Sequence, residues 1–134
     1  MKPFHLDSSM TNFTGAFYPT GYMVLTFPGE QQARDAAKLL ADGGIADDAV
    51  SLITPQAFRS EILGTKGDEA ILPSAGTEGD TVRRFAEMFQ QGHHALMVHA
   101  PSGDDSKRVT ELLEGCEITY GQKYRHLVIE DIVE

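Results

Sequence analysis

The feature that most limits how this chain folds is a pattern that occurs twice. In each occurrence a proline stops an apolar strand, a helix begins with acidic residues, and the helix ends in a leucine pair followed by glycine. Pro28 stands as far before Leu39–Leu40 as Pro101 stands before Leu112–Leu113. Two such β-α-β units, intercalated in one antiparallel sheet, give the ferredoxin-like fold. The repeat therefore predicts an α+β, ferredoxin-like split β-α-β sandwich.

Proline and glycine set the limits of the individual elements. We expect strands over 21–27, 50–54 and 93–100, and helices over 30–42 and from Ser102 to about Gly115. Thr54 and the Ser102–Asp105 pair are expected to cap helix starts, and Gly43 is expected to be the left-handed residue after the first helix. Two extra helices, over 55–63 and 79–91, are expected between the two halves, with a long polar loop over 65–78 that a ligand site could use as a lid. The tail, from Cys116 to Val133, is expected to form a hairpin turning at Gly121–Gln122 or one bent strand. Residues 1–20 are predicted to be an N-terminal arm, and 21–134 a single domain.

The repeat also predicts which side chains share a face of the sheet. Aligning the two prolines pairs Phe27 with Ala100, Leu25 with Val98 and Met23 with Leu96. Side chains alternate along a strand, so this most apolar set is assigned to the helix-covered face. The other face of a ferredoxin-like sheet carries no helices, and we expect it to be open.

The open face supplies the candidate ligand or interface residues, which are Tyr22, Val24, Thr26, Met97 and His99. This set is largely apolar, and an apolar patch exposed to water usually marks a surface for a partner or ligand. We therefore expect a homo-oligomer that associates through this face, most simply a symmetric dimer.

Composition makes several other functions improbable. The net charge is -9, from 20 acidic and 11 basic residues, and no basic stripe is present, so we expect no nucleic-acid partner. Cys116 is the single cysteine, which excludes a disulfide within the chain and suits a reducing compartment. The apolar runs are of strand length, far below the ~20 residues of a membrane span. We expect a cytoplasmic protein that does not associate with membranes.

Residues that could carry chemistry do not form a known motif. His99 and His126 are the candidate metal ligands, but no CxxC, HxxxH or HExxH spacing occurs. Cys116 follows a predicted helix end, where the dipole does not favour a thiolate. Gly-x-Ser-x-Gly and the phosphate-binding loop are absent from the sequence. The sequence therefore predicts no catalytic residue, no metal and no cofactor.

Parts of both repeat units resemble a known family. The segments that carry the resemblance are Val24–Phe27, Ala33–Leu40, Gly44–Ile45, Val50–Ile53, Gly92–Ala100 and Val109–Leu113. In this order they are similar to a bacterial general-stress-protein domain family of small α/β proteins. The resemblance implies a fold and a stress-related context. It does not imply catalytic residues.

These observations favour a non-catalytic, oligomeric binding or regulatory domain whose small-molecule ligand is unknown. Two alternatives stay open. One is a small enzyme with a cavity on the open sheet face or at the dimer seam, in which His99 acts as acid or base. The other is a metal-handling protein.

Overall fold

The computed structural model describes residues 1–6, 19–63, 77–125 and 128–133, and has an α+β architecture. The described strands are β1 (Lys2–Pro3), β2 (Tyr22–Phe27), β3 (Val50–Ile53), β4 (His94–His99), β5 (Tyr120–Arg125) and β6 (Val128–Val133). The described α-helices are α1 (Glu30–Asp42), α2 (Pro55–Ala57), α3 (Thr77–Gln90) and α4 (Gly103–Leu112). A 3-10 turn covers Asp47–Ala49, and a π-helical segment, Phe58–Leu63, continues α2.

The strands form one mixed sheet in the order β1-β3-β4-β2-β5-β6. Of the pairs described, β1 with β3 is parallel and the others are antiparallel. The repeat units are β2-α1-β3 and β4-α4-β5. Their strands alternate in the sheet, because β4 lies between β3 and β2, and β5 lies on the far side of β2.

One face of the sheet is covered by α1 and α4, as the repeat predicts. Met23, Leu25 and Phe27 of β2 share a buried cluster with Leu96, Val98 and Ala100 of the second unit. The two helices and the residue that follows α4 contribute small or branched side chains, namely Ala33, Ala36, Ala37, Leu40, Val109 and Leu113. The predicted strand phase is therefore confirmed. Burying each large apolar side chain here is worth about 1.5–3 kcal/mol.

The other face is not open, and this expectation was wrong. Val24, Thr26 and Met97 are each at most 1% exposed. The two extra helical segments lie on this face: Phe58 and Ile62 from the π-helical segment, and Val82, Phe85 and Phe89 from α3, join Val24 and Met97 in one cluster. Both segments carry apolar residues at helical spacing, and such a stripe must be buried. The stripes require burial, and the structure buries them against this face, so helices cover both faces of the sheet.

The chain start also contributes to this second layer. The Phe4 side chain is 3% exposed, and its backbone N–H donates to the Leu52 carbonyl at 3.2 Å. The Leu6 N–H donates to Glu61 Oε1 at 2.9 Å. Residues 7–18 of the predicted arm lie outside the described residues, as does most of the polar loop over 65–78.

Several local expectations hold, and two need correction. Thr54 caps α2 by accepting from the Ala57 N–H at 3.0 Å, and Ser102 with Asp105 forms the expected capping box of α4. The left-handed residue after α1 is Gly44, with φ of 92°, and not Gly43. Gly121 lies inside β5 as a partner of Leu25. The tail is thus a hairpin, but its strands meet after Arg125 rather than at Gly121.

Candidate functional site

The register of β2 and β4 brings the predicted site residues together. Tyr22 pairs with His99 and Val24 pairs with Met97, while Thr26 pairs with Ala95 further along the same face. The structure buries Val24, Thr26 and Met97 completely under α3 and its neighbours, so these three residues form no surface. Tyr22 is half-buried and His99 is exposed. What remains accessible of the predicted site is the Tyr22–His99 end of the sheet.

The Tyr22 and His99 rings contact each other across the two strands. Their centroids are 4.9 Å apart and their planes are tilted by 57°. Tyr22 also packs against the α3-side cluster, which fixes its ring. On the described part of the chain no hydrogen bond occupies the Tyr22 hydroxyl or either His99 ring nitrogen. The pair therefore offers ring surface together with unused donor and acceptor atoms.

Next to this pair, further polar side chains lie on the sheet face that α3 covers. Gln122 is the register partner of Val24, and Ser51 is the register partner of Met97, so the four residues form one row across the sheet. Gln122 is 1% exposed and Ser51 is 4% exposed. Tyr124, two residues beyond Gln122 on β5, is fully buried. Buried amide and hydroxyl groups cost free energy unless they are hydrogen-bonded, and Gln122 and Tyr124 both interact with other groups of the protein.

A hydrogen-bonded chain lies at the opposite end of β4. Thr26 Oγ1 lies 2.7 Å from Thr119 Oγ1, and Thr119 Oγ1 lies 3.2 Å from His93 Nδ1. Thr26 Oγ1 also donates to the Tyr120 carbonyl at 3.2 Å. From the sequence, His93 is placed at the start of a strand, and no role is assigned to it. Its link to Thr119 depends on a sheet register that no local pattern reveals.

His94 points to a different neighbour. Its Nδ1 lies 3.1 Å from the Gly92 carbonyl, and its Nε2 lies 3.8 Å from Glu30 Oε1. The hydrogen bond and charge of Arg34 lower the pKa of the Glu30 carboxyl, with a smaller contribution from His94. The Glu30 carboxyl, at the first position of α1, is therefore ionised at neutral pH.

The remaining sequence candidates stay apart. The described residues contain no group of three or more His, Cys, Asp and Glu placed to hold a metal ion. His126 lies outside the described residues, so the His99–His126 pair is untested. Burial raises the pKa of the Cys116 thiol, with a smaller contribution from Asp35, so this cysteine is less ionised than a free one.

Comparisons with known proteins found no match: no protein-family model, no curated protein and no solved structure matches the chain. None of the described helices combines the length and apolar character needed to cross a membrane.

Proposed function

We propose that the protein is a non-catalytic ligand-binding, regulatory domain, and that it takes a flat aromatic or heteroaromatic small molecule at the Tyr22–His99 end of its sheet. The observation that carries this proposal is the pairing of a fixed, half-buried phenol with an exposed imidazole, both without hydrogen-bond partners on the described part of the chain. Aromatic side chains bind flat rings by offset or edge-to-face contact, and their polar atoms then orient the ligand.

The polar row behind the pair supports the same proposal. Ser51 and Gln122 lie inside a layer that is otherwise filled by aromatic and aliphatic side chains. Binding sites commonly combine an apolar lining with a few polar groups that give specificity. Ser51 and Gln122 are buried, so a ligand bound at Tyr22 would reach them only if the helical layer over this row opened.

We further propose that the core is ferredoxin-like. The order β3-β4-β2-β5, antiparallel throughout, is the arrangement expected when two β-α-β units intercalate. The extra layer of α2, the π-helical segment and α3 would then be an addition that covers the second face. The stress-related context remains a proposal that rests on the resemblance of the repeat segments alone.

Self-association is a separate proposal, and the Tyr22–His99 end is the part of the predicted surface that still supports it. Burial of Val24, Thr26 and Met97 removes the broad apolar face on which a dimer was expected to form. A dimer that pairs two Tyr22–His99 ends would place the ligand at the seam.

Native mass spectrometry of the freshly purified full chain tests subunit number and any retained compound together. Thermal-shift measurements with adenosine, indole and flavin mononucleotide then test the ligand class. We expect at least one compound to raise the melting temperature of the wild type, and Tyr22→Leu and His99→Gln to abolish that rise. Lys38→Gln, on the exposed face of α1, is the matched control and should behave like the wild type.

Three outcomes would contradict parts of this proposal. If no compound shifts the melting temperature and no mass is retained, the aromatic ligand class is wrong. If a ligand binds equally well to the Tyr22→Leu and His99→Gln variants, the site is wrong. If a bound compound is chemically converted, the protein is an enzyme and His99 becomes the first candidate for its acid or base.

A further inference from the structure

The hydrogen-bonded chain from Thr26 to His93 has a direction. A backbone carbonyl only accepts, so the Thr26 hydroxyl donates its proton to the Tyr120 carbonyl. Thr26 Oγ1 can then only accept from Thr119, and the Thr119 hydroxyl has no second proton to give to His93. Only a proton on His93 Nδ1 satisfies all three contacts.

The reverse direction satisfies one contact fewer. If Thr26 donates to Thr119 and Thr119 donates to His93 Nδ1, the 3.2 Å contact of Thr26 with the Tyr120 carbonyl is lost as a hydrogen bond. In that arrangement the Tyr120 carbonyl loses the Thr26 hydroxyl as a donor, and Thr26, which is fully buried, accepts no hydrogen bond from Thr119 in return. The first direction therefore prevails.

We propose that this series of hydrogen bonds holds neutral His93 as the Nδ1–H tautomer and makes its Nε2 a proton-accepting, nucleophilic site. Nε2 has no hydrogen-bond partner on the described part of the chain, and His93 is partly exposed. The site takes a ligand group that donates a hydrogen bond, such as a hydroxyl or amide N–H. It lies at the other end of β4 from the Tyr22–His99 pair and does not depend on the function proposed there.

The position of His93 is fixed independently of the side-chain contact. Its backbone N–H donates to the Met88 carbonyl at 3.1 Å, in the turn that ends α3 at Gly92. The Thr119 N–H donates to the Thr26 carbonyl at 2.9 Å, which holds the hydroxyl acceptor in place. Both partners of the imidazole contact are therefore anchored through their backbones.

Long-range proton–nitrogen NMR of the 15N-labelled full chain, in alkaline buffer where imidazoles are neutral, reads the tautomer directly. Single His→Gln variants at His93, His94 and His99 assign the signals. We expect His93 to carry its proton on Nδ1 in the wild type and in Thr119→Ser, and to shift towards Nε2–H in Thr119→Val. Melting curves verify that each variant is folded.

Diethyl pyrocarbonate tests the nucleophilic nitrogen. The Nε2 lone pair attacks one carbonyl carbon, ethyl carbonate leaves with the bonding electrons, and the Nδ1 proton passes to water, which leaves a neutral acylated ring. Peptide fragmentation measures the reaction at His93. We expect acylation several-fold slower in Thr119→Val than in Thr119→Ser. An Nε2–H tautomer in the wild type, or equal rates in the two variants, would overturn the proposal.

Discussion

Lys123 donates through its ammonium group to the Ser106 hydroxyl inside the core, although a lysine side chain is normally exposed. Lys123 is 4% exposed and pairs with Met23 on β2, while Ser106 is 8% exposed in the second turn of α4. The ammonium also donates to the Ser102 carbonyl at 3.1 Å. Lys123 thus ties β5 to the start of α4 through two uncharged oxygen atoms.

Removing the acceptor should cost more than removing the charge. Ser106→Ala leaves the buried ammonium with one acceptor fewer, and we expect a loss of about 1–3 kcal/mol in the free energy of unfolding. Lys123→Met replaces the charge with an apolar chain of similar length, and we expect a smaller loss or a gain. Urea denaturation compares the two, with exposed Lys107→Met as the control. A larger loss for Lys123→Met than for Ser106→Ala would contradict this account.

Adjacent residues of β4 provide a test of the strand phase. Val98 is fully buried on the sheet face that α1 and α4 cover, whereas the neighbouring His99 is exposed. Val98→Asp buries a carboxylate among apolar side chains, and we expect a loss of about 4 kcal/mol or more, which is enough to unfold a domain of ordinary stability. His99→Asp should remain folded. Circular dichroism melting distinguishes the two, and a cooperatively folded Val98→Asp protein would refute the assigned phase.

Two glycines isolate the cost of a left-handed backbone, because an added Cβ would meet no atom within 4 Å at either of them. Gly92 has φ of 91°, and an added Cβ would meet no atom within 4 Å, so Gly92→Ala introduces strain alone. We expect a loss of about 1–2 kcal/mol from the left-handed backbone. Gly103 is the first residue of α4 and also has open space, but no left-handed φ. Gly103→Ala should therefore be neutral or stabilise by about 0.4–1 kcal/mol. Thermal melting of both variants checks the difference, and equal effects would contradict it.

Cys116 should react slowly with thiol reagents in the folded protein. Burial raises the pKa of its thiol, so the reactive thiolate forms only at higher pH than in the unfolded chain. Its contribution to stability is complete below the unfolded pKa and is lost as pH rises through the higher folded value. Reaction with a chromogenic disulfide reagent, measured against pH with and without denaturant, gives both midpoints. A folded midpoint at or below the unfolded one would contradict the burial effect.

Local patterns in the sequence predict those parts of the fold that depend on neighbouring residues. Proline, glycine and capping residues predict the bounds of α1 and the starts of α2 and α4, because these residues act on the backbone beside them. The apolar alternation of Met23, Leu25 and Phe27 determined which side of β2 meets α1 and α4, because alternation along a strand is a local property. The same alternation in β4 predicts which side of that strand meets the two helices.

What covers the second face of the sheet, and which polar residues meet, depends on how the elements pack together. The packing of Phe85 and Phe89 against the sheet depends on where α3 crosses it, and no spacing within α3 records that direction. The contacts of Tyr22 with His99, His93 with Thr119 and Lys123 with Ser106 join residues far apart in the chain. Such contacts follow from sheet register and helix placement, which the whole core sets together, so a linear pattern does not specify them.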